Sequence, residues 1–207
     1  MEKREKLYEG KAKVIYSTDD PTVIIQYFKD DATAFNGLKK DQILNKGIIN
    51  NRASEILFLY LAKNGIPTHF LGRPSEREMV CKKVKIIPVE VIIRNIIAGS
   101  LAKRLGSEEG VVLNKTVVEY CYKSDELGDP FINIWHIDAM GWATREQMAI
   151  IDDLSIKVNQ LLVDYYKSIG IKLVDIKLEF GVDCEGNIIL ADEICPDTSR
   201  LWDATTK

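Results

Sequence analysis

The sequence predicts an α+β fold of two lobes with a ligand cleft between them. Three observations carry that expectation. Strand-like runs rich in β-branched residues cluster early, at 14–16, 23–25, 79–84 and 86–93. One long amphipathic helix follows, opening at Thr144 and running to about 168. A hairpin dense in acids then closes the order, over 173–192, with no regular alternation of strand and helix that would call for a parallel sheet.

In chain order, Val14-Ile15-Tyr16, the turn Asp19-Asp20-Pro21 and Val23-Ile24-Ile25 form an opening hairpin. The stretch 29–37, Lys-Asp-Asp-Ala-Thr-Ala-Phe-Asn-Gly, is polar and turn-prone, so it reads as an exposed loop. A helix is expected from Lys46 to Lys63, with Ile49, Ile56, Leu57, Tyr60 and Leu61 on its apolar stripe and Asn64-Gly65 then Pro67 as the stop. The runs at 79–84 and 86–93 read as two strands, broken at Pro88. Arg94 ends the second. Ala98-Gly99 then allows a tight turn, and Ser100 is placed to cap a short helix, 101–105, closed by Gly106. A helix start with an arginine beside it suits an anion, although a serine cap near an unrelated arginine would read the same way. Residues 117–123 alternate as a strand, and 125–130 is a loop ending in Asp-Pro. Thr144-x-x-Gln147 is a capping box for the long helix, whose stripe is Ile151, Leu154, Val158, Leu161, Leu162 and Tyr165.

The closing stretch, LVDIKLEFGVDCEGNIILADEICPDTSRLWD, holds most of the chemistry. Val174, Ile176, Leu178 and Phe180 alternate with Asp175, Lys177 and Glu179, the pattern of a strand with one buried face. A four-residue loop at 184–187 would set Glu179 opposite Asp192, with Cβ atoms roughly 5 Å apart. A five-residue loop would break that register. Two facing carboxylates repel unless a cation lies between them. Mg²⁺ suits such a pair, because it takes one or two carboxylates, several waters and substrate phosphates. The alternative is a solvated hairpin face with an ordinary Lys-Glu pair. Cys-Pro-Asp-Thr-Ser-Arg ends the return strand and delivers Ser199 and Arg200 beside the same face, a grip for phosphate or carboxylate.

LVDIKLEFG followed by LADEICPDTSRLWD resembles the signature pair of the SAICAR synthetases, the phosphoribosylaminoimidazole-succinocarboxamide synthases of purine biosynthesis, and the resemblance runs from residue 7 to the end. It implies a bilobal ATP-binding fold related to protein kinases and ATP-grasp enzymes. A mainly antiparallel N-terminal lobe, 1–83, would cover ATP, and a C-terminal α+β lobe, 84–207, would carry the substrate and metal sites. By the same resemblance Lys11, Ala12 and Lys13 of Gly-Lys-Ala-Lys contact phosphates, with Ile15 and Ile24 as walls around the base. Alone, that motif is one glycine and two surface lysines. The resemblance further places adenine against the backbone around Lys82, with Cys81 and Ile86 lining the pocket and Lys123 touching the nucleotide. Arg94 and Ser100 of Arg-Asn-x-x-Ala-Gly-Ser would hold a ribose phosphate. Asp129, Asp175, Ser199 and Arg200 would also contact the substrate, and the 30–34 segment resembles an active-site flap. The implied reaction joins carboxyaminoimidazole ribonucleotide (CAIR) to L-aspartate at the expense of ATP, with Glu179 and Asp192 on Mg²⁺ and Lys177 absorbing charge. A cytoplasmic homodimer is implied as well.

Three departures stand out: Cys195 where the family has Ser, Ile134 where an acid is common, and an end at Lys207, before the family's Asp-Lys-Asp-x-Phe-Arg segment and terminal helix. A small-molecule kinase, or a nucleotide-binding module without turnover, would share much of this pattern. Other classes fit poorly. The 207 residues are 46% hydrophobic and 29% charged with a net charge of −3, an ordinary globular composition without a basic stripe for nucleic acid. The N-terminus has no apolar leader, and the longest apolar region is interrupted by Glu90 and Arg94, so no membrane span is expected. Four scattered cysteines and two histidines match neither disulfide nor zinc spacing.

Overall fold

The computed structural model describes residues 2–34 and 39–206. Two antiparallel sheets share one core. The first has the order β1 (Lys3–Glu9), β2 (Lys13–Thr18), β3 (Val23–Phe28), β7 (Glu78–Lys82) and β6 (Phe70–Gly72). The second runs β10 (Phe131–Ile132), β9 (Val112–Tyr122), β8 (Lys85–Ile96), β11 (Ile171–Val182) and β12 (Ile188–Ala191), with β13 (Ser199–Asp203) on β11 as well. The chain passes from one sheet to the other between Lys82 and Lys85. Strand β1, exposed throughout and charged at five of its seven positions, carries no alternation by which sequence could reveal it.

The 29–37 stretch is not a plain loop. Its described part forms β4 (Asp31–Ala34), paired with β5 (Lys39–Gln42), while residues 35–37 lie outside the described residues. Nor does Pro88 break a strand. It lies inside β8, where four residues of β8 span two of β11 between the pairs Glu90↔Glu179 and Ile86↔Gly181. A ladder interrupted by a bulge has no need of the missing N–H, and the Pro88 carbonyl still accepts from Lys123 N at 3.1 Å.

Helix α1 (Lys46–Lys63) ends as expected. Gly65, at φ +82°, lets its own N–H reach Ala62 O and that of Ile66 reach Leu61 O, closing the last turn. Its buried face is rotated from the expected stripe. Leu57, Phe58 and Leu61 are buried, but Ile49 and Ile56 are exposed, and Asn50, Asn51 and Ser54 take the inward positions. Most of those polar groups have partners: Asn50 bonds Asp197, the Asn51 NH₂ bonds three carbonyls at 75–78 although its Oδ1 is buried unpaired, and Ser54 bonds Ile194 O. Burial without such partners would cost about 1–3 kcal/mol per group.

Helix α2 (Gly99–Leu105) starts one residue before the expected cap, so Ser100 is inside it. The short helix α3 (Ile134–Ala139) is capped by Asn133 and His136. Helix α4 (Arg145–Ser168) has the expected Thr144/Gln147 box, and Ile151, Val158, Leu162 and Tyr166 face the core. There they meet the inner faces of β8 and β11, with Phe28, Met79 and Cys81 from the first sheet. Residues 67–69 stitch the sheets together. Leu190 N donates to Pro67 O and His69 N to Leu190 O, both at 2.9 Å, while Lys82 N donates to His69 O at 2.7 Å.

Candidate active site between the two sheets

The hairpin that carries the acids does not have the four-residue loop. Glu179 pairs with Ala191 and Val182 with Ile188, leaving five residues between the strands, and Gly186 at φ +86° turns the chain. By strand alternation Asp192 would then miss the Glu179 face. Its backbone supplies the correction: Asp192 leaves β12 in the left-handed region, at φ +62°, and its carboxylate swings toward Lys177. Aspartate is among the few side chains that tolerate this conformation.

Strands β2, β8 and β11, with the chain just past β9 and β12, thus deliver one charged cluster. Lys177 Nζ on β11 donates to Glu90 Oε1 of β8 at 2.8 Å and to Glu179, and lies 3.8 Å from Asp192 Oδ2. Lys123 Nζ reaches Glu179 Oε1 at 2.8 Å, and Lys13 from the first sheet contacts both Asp192 and Glu193. Burial opposes the charge on Lys177, yet Glu179, Asp192 and Glu90 outweigh it and raise its pKa. Burial likewise works against ionised Asp192, and Lys13, Lys177 and Lys123 override it, holding the carboxyl well below its usual range. Glu90 goes the other way, raised chiefly by burial despite Lys177. Four carboxylates therefore surround three ammonium groups, and the surplus acid suits a further cation.

The cluster floors a cavity of about 570 Å³ roofed by the first sheet. Lys11, Ala12, Lys13, Ile15, Ile24, Ile86, Lys123, Asp129, Lys177, Glu179 and Asp192 all line it. The Gly10 to Lys13 turn is fixed by Gly10 N to Lys13 O and Lys29 N to Ala12 O. Lys11 reaches across to Asp125 at 2.7 Å, which raises its pKa. Two expected contacts fall elsewhere. Cys81 is fully buried behind the cavity, and the Lys82 N–H is spent on His69 O, so Lys83 and Val84 line the crossing instead. Asp129, at φ +51°, uses one oxygen to accept from Ser124 N at 2.9 Å. An outer recess of about 650 Å³ shares Lys11 and Asp125 but none of the Lys177 cluster.

A second cationic cluster lies on the same face of β8 and β11. Arg94 is 4% exposed and bonds through all three nitrogens, Nε to Glu119 at 2.6 Å, Nη1 to Asp175 at 3.2 Å and Nη2 to Ser100 Oγ at 3.1 Å, leaving two of its five N–H donors. Arg200 Nη1 is 3.7 Å from the same Asp175 oxygen, and its guanidinium lies over Gly99, where a Cβ would meet Nη1 at 2.6 Å. Ser199 is not part of it. It pairs with Ile176, whose side chain is in the core, and its hydroxyl is buried beside Tyr166.

A family model described as SAICAR synthetase matches residues 6–207. The chain belongs to the SAICAR synthetase family. A phosphoribosylaminoimidazole-succinocarboxamide synthase of Clostridium botulinum (strain Alaska E43 / Type E3) is 55% identical over 206 residues, covering 100% of this chain and 88% of that one. The crystal structure of the synthase from Ehrlichia chaffeensis superposes with a TM-score of 0.95 at 46% identity, covering 98% and 86% of the two chains. A SAICAR synthetase in complex with ADP gives 0.93 at 48%, covering 97% and 85%. Within this SAICAR synthetase fold, sequence reasoning missed Gln26, His69, Glu90, Glu193 and Asp197. His69 lacks a motif, Glu90 is hidden in an apolar run, and Glu193 lies within LADEICPDTSRLWD, where the adjacent Asp192 drew the metal assignment. Asp197 gains meaning only from Lys46, 2.5 Å away, and Asn50 on α1.

Proposed function

We propose that this chain joins the carboxylate of CAIR to the amine of L-aspartate, with ATP becoming ADP and phosphate, in purine biosynthesis. A carboxylate is a poor acyl donor because its oxide leaving group is too basic, so the reading includes an acyl phosphate. A carboxylate oxygen of CAIR attacks the γ-phosphorus and ADP leaves; the aspartate amine then attacks the carbonyl carbon, phosphate leaves, and the amine proton passes to solvent. Lys11 and Lys13 face the phosphates from the roof and Lys177 and Lys123 from the floor, where they offset charge that builds during transfer. Arg94, Ser100 and Arg200 take the ribose phosphate, and Asp175 orients both arginines. Along β11 Asp175 of one cluster is two residues from Lys177 and four from Glu179 of the other, roughly 7 and 13 Å, so one extended molecule can touch both.

Glu179 and Asp192 suit Mg²⁺. Among the described residues no group of three or more His, Cys, Asp or Glu is arranged to hold a metal alone, and Mg²⁺ habitually completes its shell with phosphate and water. When bound, the ion neutralises phosphate charge. The observation that carries the reading is the convergence of Glu179 and Asp192 on Lys177 beneath the lysine-bearing roof. Its test is ADP release that requires both CAIR and L-aspartate. Release with CAIR alone would indicate a kinase, and ADP binding without release a module that does not turn over. A cytoplasmic homodimer belongs to the same reading, and sedimentation checks the dimer.

A further inference from the structure

Gln26 is 4% exposed and lines the cavity, yet its amide oxygen is buried without a hydrogen-bond partner. It sits on β3 between Ile24 and Phe28, opposite Ile15 on β2 and Met79 on β7. Phe28 and Met79 are buried and apolar, so neither can satisfy an amide. Ile15 and Ile24 form cavity wall, and Gln26 lines the cavity beside them, so a turn of its terminal amide, whose oxygen is closed off from solvent, would present either amide atom to a ligand there. A primary amide left in this state costs stability, and nothing in the packing of the sheet requires it there.

We propose that Gln26 reads the base of the nucleotide, accepting from the exocyclic amine of adenine while its NH₂ donates to N7. The proposal rests on the ATP reading of the cavity. Lys13, two residues from Ile15 on the same face, marks the phosphate end, and Ile15, Ile24 and Ile86 leave the base between apolar walls within reach of Gln26. An amine beside a ring nitrogen is a donor–acceptor pair that an amide matches at both positions. On the N7 edge guanine offers two acceptors, O6 and N7, so the amide oxygen would face a lone pair. Gln26 is thereby a specificity-determining residue for adenine over guanine.

The test uses the full chain with Gln26→Leu, and Gln26→Met as a second apolar variant of similar length should the first not fold. Calorimetric titration with ADP and with GDP, in the presence of Mg²⁺, is paired with thermal unfolding. The expected result is a loss of about 10- to 100-fold in ADP affinity with GDP little changed. Melting temperature should rise, because an unpaired polar atom has been removed. Opposite signs for binding and stability distinguish base reading from structural support, which would lower both. An unchanged ADP-to-GDP ratio in the variants, with the unaltered chain binding ADP, would overturn this proposal alone. Failure of the unaltered chain to bind ADP would overturn the ATP reading and the proposal with it.

Discussion

Replacing Asp192 by Asn removes one charge and almost no volume, and asparagine tolerates the left-handed backbone that Asp192 adopts. Its Oδ2 is 3.8 Å from Lys177 Nζ, and unit charges at that separation attract by about 4 kcal/mol at an effective dielectric near 20. Lys13 adds a still closer contact. Stability should nonetheless fall by only about 1–2 kcal/mol, short of the 3–5 typical of a broken buried pair. The reason is the local balance: Glu90, Glu179 and Glu193 remain to match Lys13, Lys123 and Lys177. Turnover has no such compensation. One of two charged ligands for the ion is gone, and a loss of about 100- to 1000-fold is expected, comparable to deleting a principal electrostatic donor. The assay is CAIR- and aspartate-dependent ADP release across a Mg²⁺ titration, with urea unfolding as the control for folding. Near-normal turnover at an unshifted Mg²⁺ requirement would refute the assignment of Asp192 to the metal.

Gly99→Ala would place a methyl against the Arg200 guanidinium at a backbone φ of +54°. The KM for CAIR should rise about tenfold or more, with ADP affinity unchanged by calorimetry. Asp125→Asn should release Lys11 from its half-exposed ion pair and tighten ADP about two- to fivefold at low salt, a gain that fades as salt is added. His69 is buried, and burial together with the Lys13 charge pushes its pKa down to about 4. The unfolded chain, with His near 6.5, therefore binds the extra proton between those values, so this contribution is full above about pH 6.5 and declines as pH falls toward 4. About 3 kcal/mol is at stake. Urea midpoints for the unaltered chain and His69→Phe, compared from pH 7 to 4.5, should converge; parallel curves would dismiss the histidine.

Sequence alone determined the fold class, the ends of α1 and the capping box of α4, because these follow from local patterns of capping and periodicity that no distant contact overrides. It also picked out Lys11, Lys13, Lys123, Lys177, Glu179 and Asp192, which line one cavity, since long motifs keep them at fixed spacing, but it passed over Glu90 and Glu193. Tertiary structure decided how they meet. The odd-length loop puts Glu179 opposite Ala191, and only the left-handed turn at Asp192 restores the pair, a backbone state that residue type permits but does not dictate. Ser199 is one residue from Arg200, which faces Asp175, and in a strand one residue is the opposite face. The rotated face of α1 has the same origin: Asn50 and Ser54 turn inward because the 194–197 turn, distant in sequence, offers them partners. Gln26 is the limiting case, since an amide between Ile24 and Phe28 on one strand face has no chemical meaning until a second sheet closes a cavity over it.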